Sequence, residues 1–486
     1  MSGRQETAAV KLPFEGGEHL CTWDLPDGEG GIRPAPGLLT VEPGHWPKAT
    51  VYGEMPIEWR GGMASFPQRH EFDCLRGTLS SGARVSLMNG ELNYWVESQG
   101  LALGAFAVIS LASLPAEVSQ PSFRAVEIQI EGIESVVDTV PIGSVTMPNP
   151  NTTAEEQERI WSATLNRSGA SLSWERDGIK METFYTISIR AFDGYEFGMR
   201  SSPTIRLSSD NPMTVTDWWL GWVLPLRKMV SALTGAPRAI HYFLGLDAAD
   251  ARARRDQVFG WDLTQTPTDS SRAETQKVKS ALKVVADNAS LLDLLFTWRT
   301  LAERQHPLIE IMGDISTMRD QSPRSRYLML VQALEGLRGD ETRDQRARKQ
   351  AEYTATRDAF LERVLPTLSE EDAKFLSTRL MKFPPGGLSG DLGAVLKSLP
   401  VDVRPELESL PLVATVRAMD GVDDKLPLVD VLVTIRNKLA HGEVQFPPDQ
   451  VQTMVDVLER VVRSETVRVL DGPLASRTRA AEKPQR

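Results

Sequence analysis

The sequence predicts an α+β multidomain chain. An antiparallel β-rich N-terminal half, sandwich- or barrel-like, is followed by an all-α helical bundle. Three observations predict this. From 18 to about 148, short alternating runs such as HLCTWDLP, KATVYGEM and FRAVEIQIEGIESVV are cut by Gly, Pro and Asp, the period-two pattern of half-buried strands joined by turns. Beyond about 272 apolar residues recur three and four apart, the period of helices. The 486 residues, 41% hydrophobic and 24% charged, give roughly two to four domains with ample core.

In order, residues 1–14 read as a loose tail and 15–265 as the β-rich region. A turn-rich join, MPNPNTTAEEQ at 147–157, divides that region. A second strand group follows it: SATLNRSGASLSWE, IKMETFYTISIRAF and SPTIRLSS. A helix over 214–233 carries Trp218, Trp219 and Trp222, which fit a core better than a base-stacking platform, and Pro225 should kink or split it. Residues 240–244 read as one more strand and 260–271 as a linker. The all-α domain spans 272–470, with helices expected at 273–300, 307–316, 325–337, 341–365, 370–381, 390–399, 405–419, 426–440 and 448–470. Ser369 and Asp372 resemble a capping box. The polar, basic end, 471–486, reads as a frayed tail.

Composition excludes several classes. A net charge of −11 provides no global cationic field for nucleic acid, so any RNA binding needs a local patch. Cys21 and Cys74 form neither a disulfide framework nor a metal motif, which fits a reducing cytoplasm. The N-terminus lacks the apolar core of a signal peptide, and the apolar stretch 100–116 is short for a membrane span. The glycine run 386–390 lacks a Walker lysine, no nucleophile elbow is present, and no His, Cys and Asp cluster has ligand spacing. No cofactor, metal or membrane partner is expected.

The most informative stretch is Arg436-Asn437-Lys438-Leu439-Ala440-His441-Gly442, closing an apolar helix. At about 100° per residue, Leu428, Leu432, Ile435 and Leu439 form one apolar stripe. Val429, Val433 and Ala440 form a second beside it, and Arg436 lies in that second stripe. Thr434, Lys438 and Val431 point away. A helix apolar on two sides needs two covers: its own core and a second body such as another subunit. The bland reading of Arg436 is an ion pair with Asp430 or Glu335 at a capped helix end. Arg343, Arg346, Arg348 and Lys349 could grip phosphates, or could be a solvated face laced with Asp344, Glu352, Asp358 and Glu362.

The string IRNKLAHG resembles the R-x4-H signature of HEPN-domain ribonucleases. The helix RYLMLVQALEGLRG at 326–339 resembles an early helix of the same domain, with Glu335 at a position often acidic there. The strings TWDLPDGEGGIRPAPGLLTVEPG, LRGTLSSGARVSLMNG and PLRKMVSALTGAPRAIHYFLGL resemble the N-terminal domain of ApeA-like anti-phage proteins. The resemblance implies a metal-independent endoribonuclease in which a ribose 2′-OH attacks the adjacent phosphate and leaves a 2′,3′-cyclic phosphate. Arg436 and His441 would be catalytic, with Asn437 orienting His441 or contacting phosphate and Glu335 and Asp430 in support. It also implies RNA as substrate, tRNA among the candidates. A homodimer would build the composite site, and the N-terminal half would sense a phage-derived trigger or restrain the nuclease. The alternative is a catalytically silent HEPN-type dimerisation or regulatory protein. Arg436 and His441 lie about 140° apart on a straight helix. The pair therefore requires either unwinding near 440–442 or completion by a second copy.

Overall fold

The computed structural model describes residues 8–26, 31–54, 59–60, 63–64, 66–96, 98–111, 120–146, 162–166, 170–192, 197–248, 254–315, 321–382, 387–419, 421–442 and 444–483. The chain divides into two compact units, Met1–Thr234 with Arg238–Phe296, and Gly235–Pro237 with Thr297–Arg486. The join expected at 147–157 lies outside the described residues, as does 1–7 of the expected tail.

The first unit begins with β1 (Gly17–Pro26), β2 (Ile32–Val41) and β3 (Lys48–Tyr52), then a minimal hairpin of β4 (Trp59–Arg60) and β5 (Met63–Ala64). Three long strands follow, β6 (Gln68–Leu79), β7 (Arg84–Val96) and β8 (Gln99–Ser110). Antiparallel pairing in the order β1–β2–β3–β8–β7–β6 and back to β1 closes a six-stranded barrel. Closure removes the open edges that a strand pair would otherwise present. Alternate residues point inward, so Trp23, Leu39, Val51, Leu87 and Tyr94 fill the interior. Trp23 is fully buried because Gly37 stands beside it. A Cβ at Gly37 would lie 2.1 Å from the Thr50 carbonyl oxygen and 2.7 Å from the Trp23 ring.

β8 belongs to two structures. Its residues 99–103 pair with β3 inside the barrel, and residues 106–109 pair instead with β16 (Arg255–Gly260). From there a second sheet runs β16, β15 (Ile240–Leu246), β9 (Ser122–Ile130), β14 (Phe197–Thr214), β13 (Ile179–Phe192) and β12 (Leu172–Arg176). β10 (Ile142–Thr146) and β11 (Ser162–Leu165) form a separate hairpin. After the short α1 (Ile133–Val137), Thr214 caps α2 (Val215–Trp218) in a reciprocal box with Asp217. The helix then widens into a π turn at Trp219–Val223 before α3 (Leu224–Thr234). The expected disturbance at Pro225 takes this form, since proline cannot supply an N–H to the ladder. Trp218, Trp219 and Trp222 are core residues, and the Trp218 indole donates to the Phe123 carbonyl at 3.0 Å.

The described parts of both expected tails, 8–14 and 471–483, are packed, and so is the expected linker. Residues 8–14 are strapped down: Ala9 N–H donates to Asp269 at 2.7 Å, Phe14 N–H donates to Gln257 at 2.8 Å, and Val10 packs with Tyr242 and Leu244. The alternating apolar residues Val10, Leu12 and Phe14 supply the adhesive. The 260–271 segment is fastened too, with Gln129 and Thr268 exchanging two hydrogen bonds of 2.7 and 3.0 Å. α4 (Arg272–Lys277), α5 (Val284–Asp287) and the first part of α6 (Leu291–Glu303) belong to the first unit, so the helical unit starts at Thr297 rather than at 272. Their buried Leu282, Val284, Leu291 and Leu295 account for this attachment.

The second unit contains α7 (Pro307–Ile315), α8 (Pro323–Glu341), α9 (Arg343–Val364), α10 (Glu370–Arg379), α11 (Leu388–Ser398), α12 (Arg404–Glu408), α13 (Pro411–Arg417), α14 (Leu428–His441), α15 (Pro448–Val469) and α16 (Leu474–Ala481). α15 is the central member, burying Met454, Val455, Leu458, Val461 and Val462 and touching α7, α8, α13 and α16. α16 occupies the expected C-terminal tail. Ala480 and Ala481 are fully buried, Arg460 donates to the Ala481 carbonyl at 3.1 Å, and Ser464 donates to the Arg477 carbonyl at 3.0 Å. Its small alanines allow close approach to α15, which a reading of charge alone misses. No described helix is long and apolar enough to cross a membrane.

Candidate active site

α14 is packed by four helices, α8, α11, α12 and α13. Leu428, Leu432, Ile435 and Leu439 are buried as the stripe requires, and Val431, expected to point away, is fully buried as well. The second stripe grades from half-buried Val429 and Val433 through Arg436 to exposed Ala440. Tyr327, buried on α8, donates its hydroxyl to the Leu432 carbonyl at 2.8 Å, pinning the two helices. Burial pushes that hydroxyl far above the ordinary phenol range.

The helix runs intact through His441. Gly442 then turns left-handed, φ 71°, and its N–H caps the Lys438 carbonyl. Unwinding therefore does not bring Arg436 and His441 together, and the angular separation of about 140° stands. Arg436 is 39% exposed, its Nη1 donates to Asn437 Oδ1 at 3.1 Å, and its Nη2 lies 3.9 Å from Glu335 Oε2. Asn437 thus meets the arginine, and among the described residues it makes no hydrogen bond to His441. His441 is exposed and makes no hydrogen bond among the described residues. Asp430, the other expected support, is in the first turn of α14, where it favours the helix N-terminus. Its side chain makes no ion pair among the described residues, so Glu335 is the acid that meets Arg436.

Sequence reasoning missed Arg324. From the first turn of α8 it donates Nη2 to the Leu439 carbonyl, one of the free carbonyls at the end of α14. A second guanidinium therefore stands beside the terminal turn that carries His441. Only the Ser322 cap and Pro323, which mark this end as a helix start, hint at it in the sequence.

The basic run on α9 divides. Arg343 meets Asp340 at 2.5 Å, and Arg346 meets Asp391 at 2.6 Å and Thr342 at 2.9 Å. Arg348 and Lys349 are exposed and make no ion pair among the described residues. Two of the four are thus neutralised, as on a solvated charged face. Arg343 and Arg348 also line a cavity of 880 Å³ with Arg304 and His306. His306 Nε2 lies 3.7 Å from Asp340. Burial holds this imidazole below its ordinary value, against the opposing pull of Asp340 and Glu341.

A closed barrel with a branching sheet and a helical bundle ending a helix in Arg-x4-His together define a two-unit chain of β-rich and helical halves. Residues 18–241 match the family model described as ApeA N-terminal domain 1, so the chain is ApeA-like over that span. No curated protein and no solved structure matches the chain.

Proposed function

We propose that the helical unit is a HEPN-type, metal-independent endoribonuclease serving an ApeA-like anti-phage defence protein. The observation that carries this reading is the arrangement on α14: Arg436 half-exposed and braced by Asn437 and Glu335, with His441 free in solvent at the helix end. The imidazole takes the proton of a ribose 2′-OH or gives one to the departing 5′-oxygen. The guanidinium holds the charge that develops on the phosphorane oxygens, a task its planar fork performs better than an ammonium. The 2′-oxygen forms a bond to phosphorus as the bond to the 5′-oxygen breaks, leaving a 2′,3′-cyclic phosphate. Because Arg436 and His441 diverge on one helix, a second copy completes the site. RNA is the substrate, with tRNA a candidate by resemblance, and the β-rich unit senses infection or restrains the nuclease.

The test is total RNA incubated with purified protein in EDTA, with the RNA ends then sequenced. Cleavage to cyclic phosphate ends that His441→Ala abolishes supports the assignment. Cleavage that survives His441→Ala, or that needs a divalent metal, overturns it.

A further inference from the structure

The barrel carries a concave site that the proposed nuclease chemistry does not use. Midway along β6, β7 and β8 the strands crease between two cross-strand rows, Phe72–Gly90–Gly104 and Cys74–Met88–Phe106. Asn89, between the rows, is left-handed with φ 47°, and its amide donates to Thr216 at 2.7 Å. Gly90 permits the crease, since a Cβ there would lie 2.0 Å from the Leu103 carbonyl oxygen and 2.8 Å from the Phe72 ring. Asparagine tolerates left-handed backbone better than most side chains, which suits it to this position.

Over the crease lies a cavity of 680 Å³, walled by Trp46, Glu71, Phe72, Asp73, Glu91 and Leu103. Trp46 is half-exposed and stacks on half-exposed Trp261 at 5.7 Å and 21°. The two loops that carry them are tied by Gly44 N–H donating to the Leu263 carbonyl at 2.9 Å. The aromatic wall is therefore held flat before anything binds.

The charges are the telling feature. Glu71 and Glu91 are direct cross-strand partners. Like charges placed so are destabilising. Glu71 and Asp73 make no ion pair among the described residues, and Glu91 accepts only from Asn93, at 2.7 Å. Lys48 stands beyond Leu103 in the same row, and Arg69 lies two residues along β6 from Glu71; neither pairs with these carboxylates. Three carboxylates thus line one cavity beside a tryptophan face, with no ion-pair partner among the described residues.

We propose that this crease docks a basic segment of a partner protein, with an arginine or lysine side chain laid across Trp46 between the carboxylates. The cation gains both the ring face and charged acceptors. Phosphate-bearing nucleic acid is repelled by the same groups. A single metal ion fits poorly, because the cavity is large and no three His, Cys, Asp or Glu side chains among the described residues are placed to hold one ion. A polypeptide fits better than a free small cation because the apolar face continues beyond the cavity. Leu101 and Leu103 on β8, Trp95 on β7 and Tyr52 on β3 are 45%, 37%, 69% and 39% exposed. An apolar patch beside a charged pocket marks a protein-binding surface.

The experiment measures tryptophan fluorescence and calorimetric binding of the full chain with a capped hexapeptide alternating leucine and arginine. The matched peptide carries citrulline, the neutral isostere, in place of arginine; spermine and a neutral oligosaccharide are parallel probes. The arginine peptide should bind about tenfold or more tightly than the citrulline peptide, and Glu71→Gln with Glu91→Gln should remove that preference. The same double variant should melt higher than the parent, because it relieves the cross-strand repulsion; this also shows that it is folded. Trp46→Ala should weaken the arginine peptide. Equal binding of the two peptides, a preference that survives the Gln variants, spermine binding as tightly as the peptide, or oligosaccharide binding in place of it would each overturn the proposal. It rests on the barrel alone, so failure of the nuclease assignment leaves it intact.

Discussion

Arg436 concentrates what single residues contribute to this protein. Its ion pair with Glu335 spans 3.9 Å between side chains about two-fifths exposed, an arrangement worth about 0–1 kcal/mol. Stability is therefore a weak reason to place an arginine in an apolar stripe, and the proposed chemistry supplies a stronger one. Arg436→Lys should keep the melting temperature within about 2 °C of the parent while cutting RNA cleavage by about a hundredfold, because lysine lacks the fork that spans two oxygens. Equal cleavage by the lysine variant would remove Arg436 from the reaction. Two histidines set a different property. Burial lowers the imidazoles of His241 and His306 below the ordinary value. The unfolded chain therefore binds their protons first as pH falls, so their contribution to stability is intact above about pH 6.5 and declines below it. Buried Glu134 and Glu459, whose carboxyls are raised, work in the opposite direction at lower pH. The informative quantity is thus the difference between parent and His241→Gln, His306→Gln, whose melting temperature should fall less between about pH 7 and pH 5.5.

Elements were legible to the degree that their determinants are local. The stripe Leu428, Leu432, Ile435 and Leu439 follows from a period of 3.6, and the structure buries all four. Val431 escaped the same reasoning because α8, α11, α12 and α13 together cover a wider arc of α14 than one stripe. Alternation exposed the strands, but not the pairing of β7 with β8 and β1 with β6 that closes the barrel, nor the division of β8 between two sheets. Register over such separations is decided by packing, which no short window contains. Arg324 was illegible for the same reason: it meets Leu439 from 115 positions away. α16 shows how composition misleads. Its arginines suggest a solvated tail, while Ala480 and Ala481 are fully buried and Arg460 and Ser464 donate to its carbonyls. Removing 471–486 should therefore cost the helical unit about 2–4 kcal/mol, read as a lower urea midpoint. A midpoint unchanged by the truncation would mean that α16 is not docked.

At the scale of the whole molecule the decisive question is how many chains make one site. α14 stays helical to His441, so Arg436 and His441 face about 140° apart. On the proposed nuclease reading, a phosphate held by one chain's arginine is best served by another chain's histidine, which in a two-fold pair generates two equivalent composite sites. This has a consequence that no single variant reveals. Arg436→Ala alone and His441→Ala alone should each be inactive as pure assemblies. Co-expressed in equal amounts, they form mixed pairs in about half of the dimers, and each mixed pair contains one site with both Arg436 and His441 intact. Cleavage should return to about a quarter of the parent's rate. If both residues of a site came from one chain, each mixed pair would hold one defective site of each kind and no activity would return. Light scattering on the same preparations establishes that mixed pairs form, so a failure to complement can be assigned to the geometry of the site and not to failed assembly.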